Sequence, residues 1–314
     1  LETKSRDAVK QVINLKGEPL DLDYTFGSGQ IFLWRKIGDW WLGNIGPSAV
    51  LMAKDGDDLA VRCEPPLSTV EVERFLALDV CYSEVTSKGP KDPFSVSLLE
   101  RYAGLRILRQ EPWFCLVTYL VSASLSIEAI EKALGRISEG GLRRTVDGHS
   151  LNLFPGPAAF LNLKRPRRGY LGRKWTYIRE AARKLERGDM DFQQLRSASY
   201  EEAWSSLVRD RGNGTMGVGP KVADCVLLFS LDKAEAFPID RWVLRGLLEH
   251  YPKLVPLRIR DRMEGSKGSN LTLVEYRELS SNVRAYFGPF GGWIQECLFL
   301  DARTVSRPTD PWVA

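Results

Sequence analysis

Histidine is nearly missing from this chain of 314 residues, which has only His149 and His250. The five cysteines, at positions 63, 81, 115, 225 and 297, are odd in number, widely scattered and never in a Cys-x-x-Cys pair. So sparse a donor set argues against a zinc or iron–sulfur site and against a disulfide framework, and it predicts a reducing, intracellular compartment. Signal peptides, membrane-spanning runs, internal repeats and low-complexity tracts are also missing from the sequence, so no membrane role is expected. The chain starts at Leu1 rather than at methionine, from which a trimmed start is expected. Charge of one sign is not in large excess: 44 Lys and Arg against 40 Asp and Glu leave a formal charge of +4. Any polyanionic partner must therefore be met by locally concentrated charge.

Apolar residues make up 44% of the chain, enough for a substantial core. Short segments punctuated by Gly, Asp and Pro read as strands at Leu20–Phe26, Ile31–Lys36, Trp40–Ile45, Ala49–Ala53 and Leu59–Cys63, followed by a helix over Val70–Leu78. Beyond Arg101 the period becomes helical over Pro112–Ala133, Lys174–Arg187, Tyr200–Val208, Pro220–Leu231, Arg241–His250, Leu273–Tyr286 and Gly292–Ala302. The expected class is α+β, with an antiparallel sheet domain over 1–103 packed on a helical domain over 104–314. Arg258–Arg262 and Lys267–Asn270 read as a solvated loop.

The chemistry concentrates in Gly217-Val218-Gly219-Pro220-Lys221-Val222-Ala223-Asp224-Cys225. Gly217 and Gly219 permit positive φ and leave the main chain bare, while Ser199 caps a helix before the turn and Pro220 suits the first position of a helix after it. This is a helix-hairpin-helix over about 199–231, whose second helix offers orphan N–H donors and a positive dipole end to a phosphate. An ordinary tight turn would carry the same two glycines. Lys221 opens an apolar helix, where burial and the helix terminus disfavour an ammonium, lower the pKa and free an amine for attack on carbon. Nineteen residues later, Asp240 follows Phe237-Pro238-Ile239 and reads as the N-cap of the next helix, a role compatible with catalysis.

These blocks resemble the helix-hairpin-helix, Gly/Pro/Asp superfamily of DNA glycosylases, and within it the 8-oxoguanine glycosylase/lyases. Two further blocks carry the resemblance over nearly the whole chain: Gly27-Ser28-Gly29-Gln30-Ile31-Phe32-Leu33-Trp34-Arg35, and Gly288-Pro289-Phe290-Gly291-Gly292-Trp293-Ile294-Gln295-Glu296-Cys297-Leu298-Phe299. The resemblance implies a bifunctional DNA glycosylase/AP lyase acting as a monomer on double-stranded DNA containing 8-oxoguanine, nuclear in a eukaryote and cytoplasmic in a prokaryote. Lys221 would be the Schiff-base nucleophile and Asp240 its catalytic partner. The Gly29 carbonyl would read the N7 hydrogen of the lesion, Cys225 and Phe299 would sandwich the flipped purine, Gln295 would bond its Watson–Crick edge, and Pro238 would line the pocket. Tyr170 or Leu171 would fill the gap in the duplex, with Arg173 and the glycines of the hairpin on the DNA. No cofactor is implied, beyond a monovalent cation at the hairpin carbonyls.

Helical spacing supports two of these pairings independently, since Lys221/Cys225 and Gln295/Phe299 are each i and i+4. Local charge also fits, because Lys164–Trp175 gathers cations around Tyr170 in a Gly- and Pro-punctuated loop. There are departures as well. Ser122-Ala123-Ser124-Leu125-Ser126 and Ala129 stand where the family carries an Asn-rich run and an arginine, and Met216 stands for the usual hairpin proline. Asp301 does not fall at the offset of a catalytic acid. An endonuclease III-like enzyme would share Lys221 and Asp240 but usually has a four-cysteine C-terminal loop, of which only Cys297 is present. An alkylated-base glycosylase would lack the lysine, and a non-catalytic DNA-binding module would need neither Lys221 nor Asp240.

Overall fold

The structure, a computed structural model, describes residues 9–123, 125–164, 171–210, 212–265 and 270–304. They form two compact units, each discontinuous in sequence. One comprises the described residues up to Asp79 together with Leu108–Asp191, and the other comprises Val80–Ile107 and those from Phe192 onward. These limits differ from the expected boundary at 103/104, because the helix Pro93–Arg101 packs against the helix Gly291–Thr304 rather than ending the sheet domain.

The first unit is built on an antiparallel sheet of β1 (Val9–Asn14), β2 (Arg35–Ile37), β3 (Trp40–Ile45), β4 (Ser48–Asp55) and β5 (Asp58–Glu64) in the order β1-β5-β4-β3-β2. The last four form a meander and β1 returns beside β5, with Val12 opposite Ala60. Alternation places Leu59, Val61 and Cys63 of β5 in the core. Trp34 stacks on Phe26 with ring centroids 4.3 Å apart and lies against Gly43 of β3, where a Cβ would come within 2.1 Å of the indole. The opposite face is covered by a hairpin of β6 (Arg143–Val146) and β7 (His149–Asn152), so Leu42, Ala49 and Leu51 are buried against Val146. The α+β class is as expected.

Local differences have local causes. Leu20–Phe26 is not a strand but the helix Leu22–Gly27, because the Asp21 carboxylate caps it by accepting the Tyr24 N–H at 2.8 Å. The expected helix Pro112–Ala133 is two helices, Pro112–Ser122 and Ile127–Ser138. Ala123 has ψ 117° and Ser126 caps the second by accepting the Ala129 N–H. The expected loop at Arg258–Arg262 is part of the helix Leu257–Gly265, whose Ile259 and Met263 are buried one turn apart.

The second unit is helical. Tyr200–Leu207, Pro220–Ser230, Arg241–His250, Leu273–Phe287 and Gly291–Thr304 match their sequence readings to within one or two residues, and Tyr82–Lys88 and Phe192–Ser197 add to them. Among the described residues no helix is long and apolar enough to cross a membrane, and no group of three or more His, Cys, Asp or Glu could hold a metal ion.

Candidate active site

The helix-hairpin-helix forms as its caps dictate. Ser199 and Glu202 make a reciprocal capping box at the start of Tyr200–Leu207. The turn that follows is closed by Arg209 N–H to Val218 O at 2.9 Å, Thr215 N–H to Leu207 O at 3.0 Å and Val218 N–H to Thr215 O at 3.0 Å. Gly217 takes φ +82° as expected, but Gly219 sits at φ −88°, so its glycine is not demanded by the backbone. A Cβ there would meet nothing within 4 Å. Gly219 is the N-cap of Pro220–Ser230 and supplies no side-chain cap to the positive end of its dipole.

Lys221 and Cys225 lie one turn apart on that helix, Lys221 half-buried and Cys225 fully buried. Asp240 is the N-cap of Arg241–His250, accepting the Val243 N–H at 2.9 Å. Burial acts against the Lys221 ammonium as expected, but the Cys225 sulfur and the carboxylates of Asp240 and Glu296 outweigh it and raise the pKa above the ordinary lysine value. The expectation of a lowered pKa is thereby corrected: it overlooks the carboxylates that gather around the amine. Burial pushes the Cys225 thiol up to about 12. That leaves the sulfur uncharged at neutral pH, where Asp240 and Glu296 are the charges that favour the ammonium against its burial. Burial also raises the Asp240 pKa, against the opposing pull of Lys221 and of the N–H groups it caps.

The third wall is Gly291–Thr304. A Cβ at Gly292 would come within 2.2 Å of Leu228, and one at Gly246 within 2.6 Å of Leu298, so bare glycines let this helix close on both the lysine helix and the aspartate helix. Gln295 is 4% exposed, and its Oε1 has no hydrogen-bond partner among the described residues. A buried amide oxygen without a partner is costly unless something arrives to satisfy it. Phe299, one turn on, is half-buried with the Arg303 guanidinium 5.1 Å over its ring. Pro238 is buried just ahead of Asp240. Glu296, 2% exposed, is the residue of this cluster that sequence reasoning misses. Its signal is a carboxylate inside an otherwise apolar helical run. Asp301 instead pairs with Arg101 and accepts the Tyr102 hydroxyl at 3.2 Å, a purely structural arrangement.

In the first unit, Gly29 takes φ +95° and is half-buried, and its neighbour Gln30 is locked in place. The Gln30 amide donates to Thr25 O at 3.0 Å, and its own backbone carbonyl accepts Gln110 Nε2 at 2.7 Å and the Tyr119 hydroxyl at 3.0 Å. Tyr170 and Ser124 lie outside the described residues. Leu171 is buried, 7% exposed. Arg173 is exposed at the start of Lys174–Arg187, and Lys174 donates to Val121 O at 2.7 Å, tying that helix to the end of Pro112–Ser122.

Residues 12–116 match the family described as 8-oxoguanine DNA glycosylase, N-terminal domain. The N-glycosylase/DNA lyase OGG1 of Arabidopsis thaliana is 30% identical over 304 residues, covering 92% of this chain and 79% of that protein. The structure of MBOgg1 in complex with a low affinity DNA ligand superposes with a TM-score of 0.78 at 26% identity, covering 96% of this chain and 97% of that one. The Clostridium acetobutylicum 8-oxoguanine glycosylase/lyase, in complex with double-stranded DNA containing cytosine opposite 8-oxoG, has the same fold. Its TM-score is 0.76 at 24% identity, over 91% of this chain and 93% of that one. Together with the helix-hairpin-helix that carries Lys221 and the capped Asp240, these likenesses establish that the chain belongs to the 8-oxoguanine DNA glycosylase family of N-glycosylase/DNA lyases.

Proposed function

We propose that this protein excises 8-oxoguanine from duplex DNA and then cleaves the strand, with Lys221 as nucleophile and Asp240 as its partner. The observation that carries the assignment is an amine, Lys221, in the first turn of the second helix of a helix-hairpin-helix, with the carboxylate of Asp240 near enough to favour its charge. In the resting protein the amine is protonated and unreactive. Asp240, whose pKa burial raises, is suited to take that proton as a damaged nucleotide enters. The amine nitrogen then bonds to C1′ as the C1′–N9 bond breaks, its electron pair leaving with the base, which takes up a proton. Opening of the sugar gives an imine on Lys221; loss of a C2′ proton lets the C3′–O bond break, and the 3′ phosphate departs with its electron pair.

The remaining assignments follow the chemistry of each group. The Gln295 oxygen without a partner suits the Watson–Crick edge of a flipped purine, and Cys225 and Phe299 suit its two faces. The Gly29 carbonyl, on a loop held by Gln30, would accept the N7 hydrogen of 8-oxoguanine and meet only a lone pair on guanine. Gly217, Gly219 and Arg173 would meet phosphates. A monovalent cation at the hairpin carbonyls would stiffen the turn that the backbone bonds of Arg209, Thr215 and Val218 close. A monomer in the cell interior suits such an enzyme. Borohydride trapping on an 8-oxoguanine duplex tests the reading. Wild-type protein is expected to be captured covalently, with or without chelator, and Lys221→Gln is expected to bind the duplex without capture; near-normal excision by Lys221→Gln would refute the assignment.

A further inference from the structure

Asp224 takes no part in the chemistry above, yet it sits on the lysine-bearing helix with none of its surface exposed. A carboxyl so placed is costly unless hydrogen bonds satisfy it. Its Oδ1 accepts the Tyr200 hydroxyl at 2.5 Å and its Oδ2 accepts the Tyr276 hydroxyl at 2.6 Å. The Tyr276 oxygen in turn accepts the Ile239 N–H at 3.0 Å, so one hydroxyl donates to the lysine helix and accepts from the segment that leads into Asp240. Asp240 is then fixed from both sides: Tyr276 holds the residue before it, and its own carboxylate takes the N–H of Val243. Tyr200 supports the same Asp224 carboxylate, but its oxygen accepts the Ser280 hydroxyl, at 3.4 Å, and not an N–H of the Asp240 segment.

We propose that Tyr276 is a positioning residue that sets the spacing between Lys221 and Asp240 through the bridge Asp224–Tyr276–Ile239, a proposal that rests on the assignment of those two residues as nucleophile and partner. Small displacements of reacting groups are costly: about 1 Å of misplacement can slow a reaction by about a hundredfold. The bridge ties the lysine helix to the far end of the segment that leads from it to Asp240, so its loss would loosen the pair while leaving the hairpin in place.

The experiment compares Tyr276→Phe with Tyr200→Phe, each of which removes one hydroxyl from Asp224. Single-turnover borohydride trapping is measured beside lesion-duplex affinity, and exchange of the Ile239 amide is measured on the free protein. Tyr276→Phe is expected to slow trapping by about tenfold or more, with affinity held within about twofold and the Ile239 amide exchanging faster. Tyr200→Phe is expected to leave the trapping rate within about threefold of wild type. Asp224→Asn, which keeps the shape but turns one acceptor into a donor, is expected to slow trapping at unchanged affinity. Equal effects of the two tyrosine variants, or wild-type rates in Tyr276→Phe or Asp224→Asn, would overturn the bridge. Absence of trapping in the wild-type protein would instead overturn the Schiff-base assignment, while the Ile239 exchange still reports on the bridge itself.

Discussion

The side-chain oxygen of Gln30 accepts the backbone N–H of Leu108 at 2.8 Å, joining two residues 78 positions apart inside the first unit. With the Gln30 amide bonded to Thr25 and Ser28, the side chain has both ends engaged, and the positive-φ turn at Gly29 cannot drift. Gln30→Leu removes the acceptor of the buried Leu108 N–H, so urea denaturation should show a loss of about 1–3 kcal/mol. The same variant should release 8-oxoguanine slowly yet cleave a preformed abasic site at close to the wild-type rate, because that substrate has no base for Gly29 to read.

Asp240 has two separable duties. Asn is as good an N-cap as Asp, so Asp240→Asn should melt within about 1 °C of wild type while excision falls sharply, since the charge is lost and the cap kept. Asp240→Ala should lose both, with an added stability cost of about 1 kcal/mol in denaturant titration.

Burial raises the Asp224 pKa to about 6 against the pull of its two tyrosines. A carboxyl raised above its unfolded value binds its proton more tightly when folded, so stability is greatest below the unfolded value near 4 and falls as pH rises through about 6. At roughly 1.4 kcal/mol per unit, the loss across that window is on the order of 3 kcal/mol. Urea titrations between pH 4 and pH 7 should show this decline in wild type and a much flatter profile in Asp224→Asn.

Two glycines of the site should respond in opposite ways. Gly292→Ala drives a Cβ into Leu228 and against the Ala234 carbonyl, and should cost about 1–3 kcal/mol as overpacking does. Gly219→Ala meets open space at an ordinary φ, so melting should barely change while duplex affinity falls, if the bare main chain there is what approaches phosphate.

Leu125 and Ala129 offer no bidentate partner to a base opposite the lesion, where one such contact gives roughly 1–3 kcal/mol of discrimination. Excision with the lesion paired in turn to cytosine, adenine, guanine and thymine should therefore show weak preference. A preference for cytosine of about a thousandfold or more, roughly 4 kcal/mol, exceeds what one contact supplies and would contradict this. Its loss in Arg173→Ala would identify that exposed arginine as the reader.

Much of the fold and of the site is legible in the amino-acid sequence, and the reason lies in how local each signal is. The helix Arg241–His250 announces itself through Asp240 as cap and an apolar period behind it, and Pro220 marks the start of the lysine helix as clearly. Short polar elements mislead where a single cap decides the outcome, as Asp21 does for Leu22–Gly27. The charge state of Lys221 escapes a sequence reading for a different reason. It depends on burial and on Cys225, Asp240 and, 75 positions away in sequence, Glu296, and no local pattern reports which groups a fold will gather around an amine.

Arg101 and Tyr102 find Asp301 across about 200 positions of chain, at the end of the helix that also carries Gln295 and Phe299. During synthesis, the helix Pro93–Arg101 must wait for about 200 more residues before its packing partner emerges. A long closure of this kind slows folding more than it weakens the folded state. The helix Gly291–Thr304 is thus made long after its packing partner, and a ribosome that stalls before Asp301 releases a chain unable to close its helical unit, leaving apolar surface for proteases and chaperones.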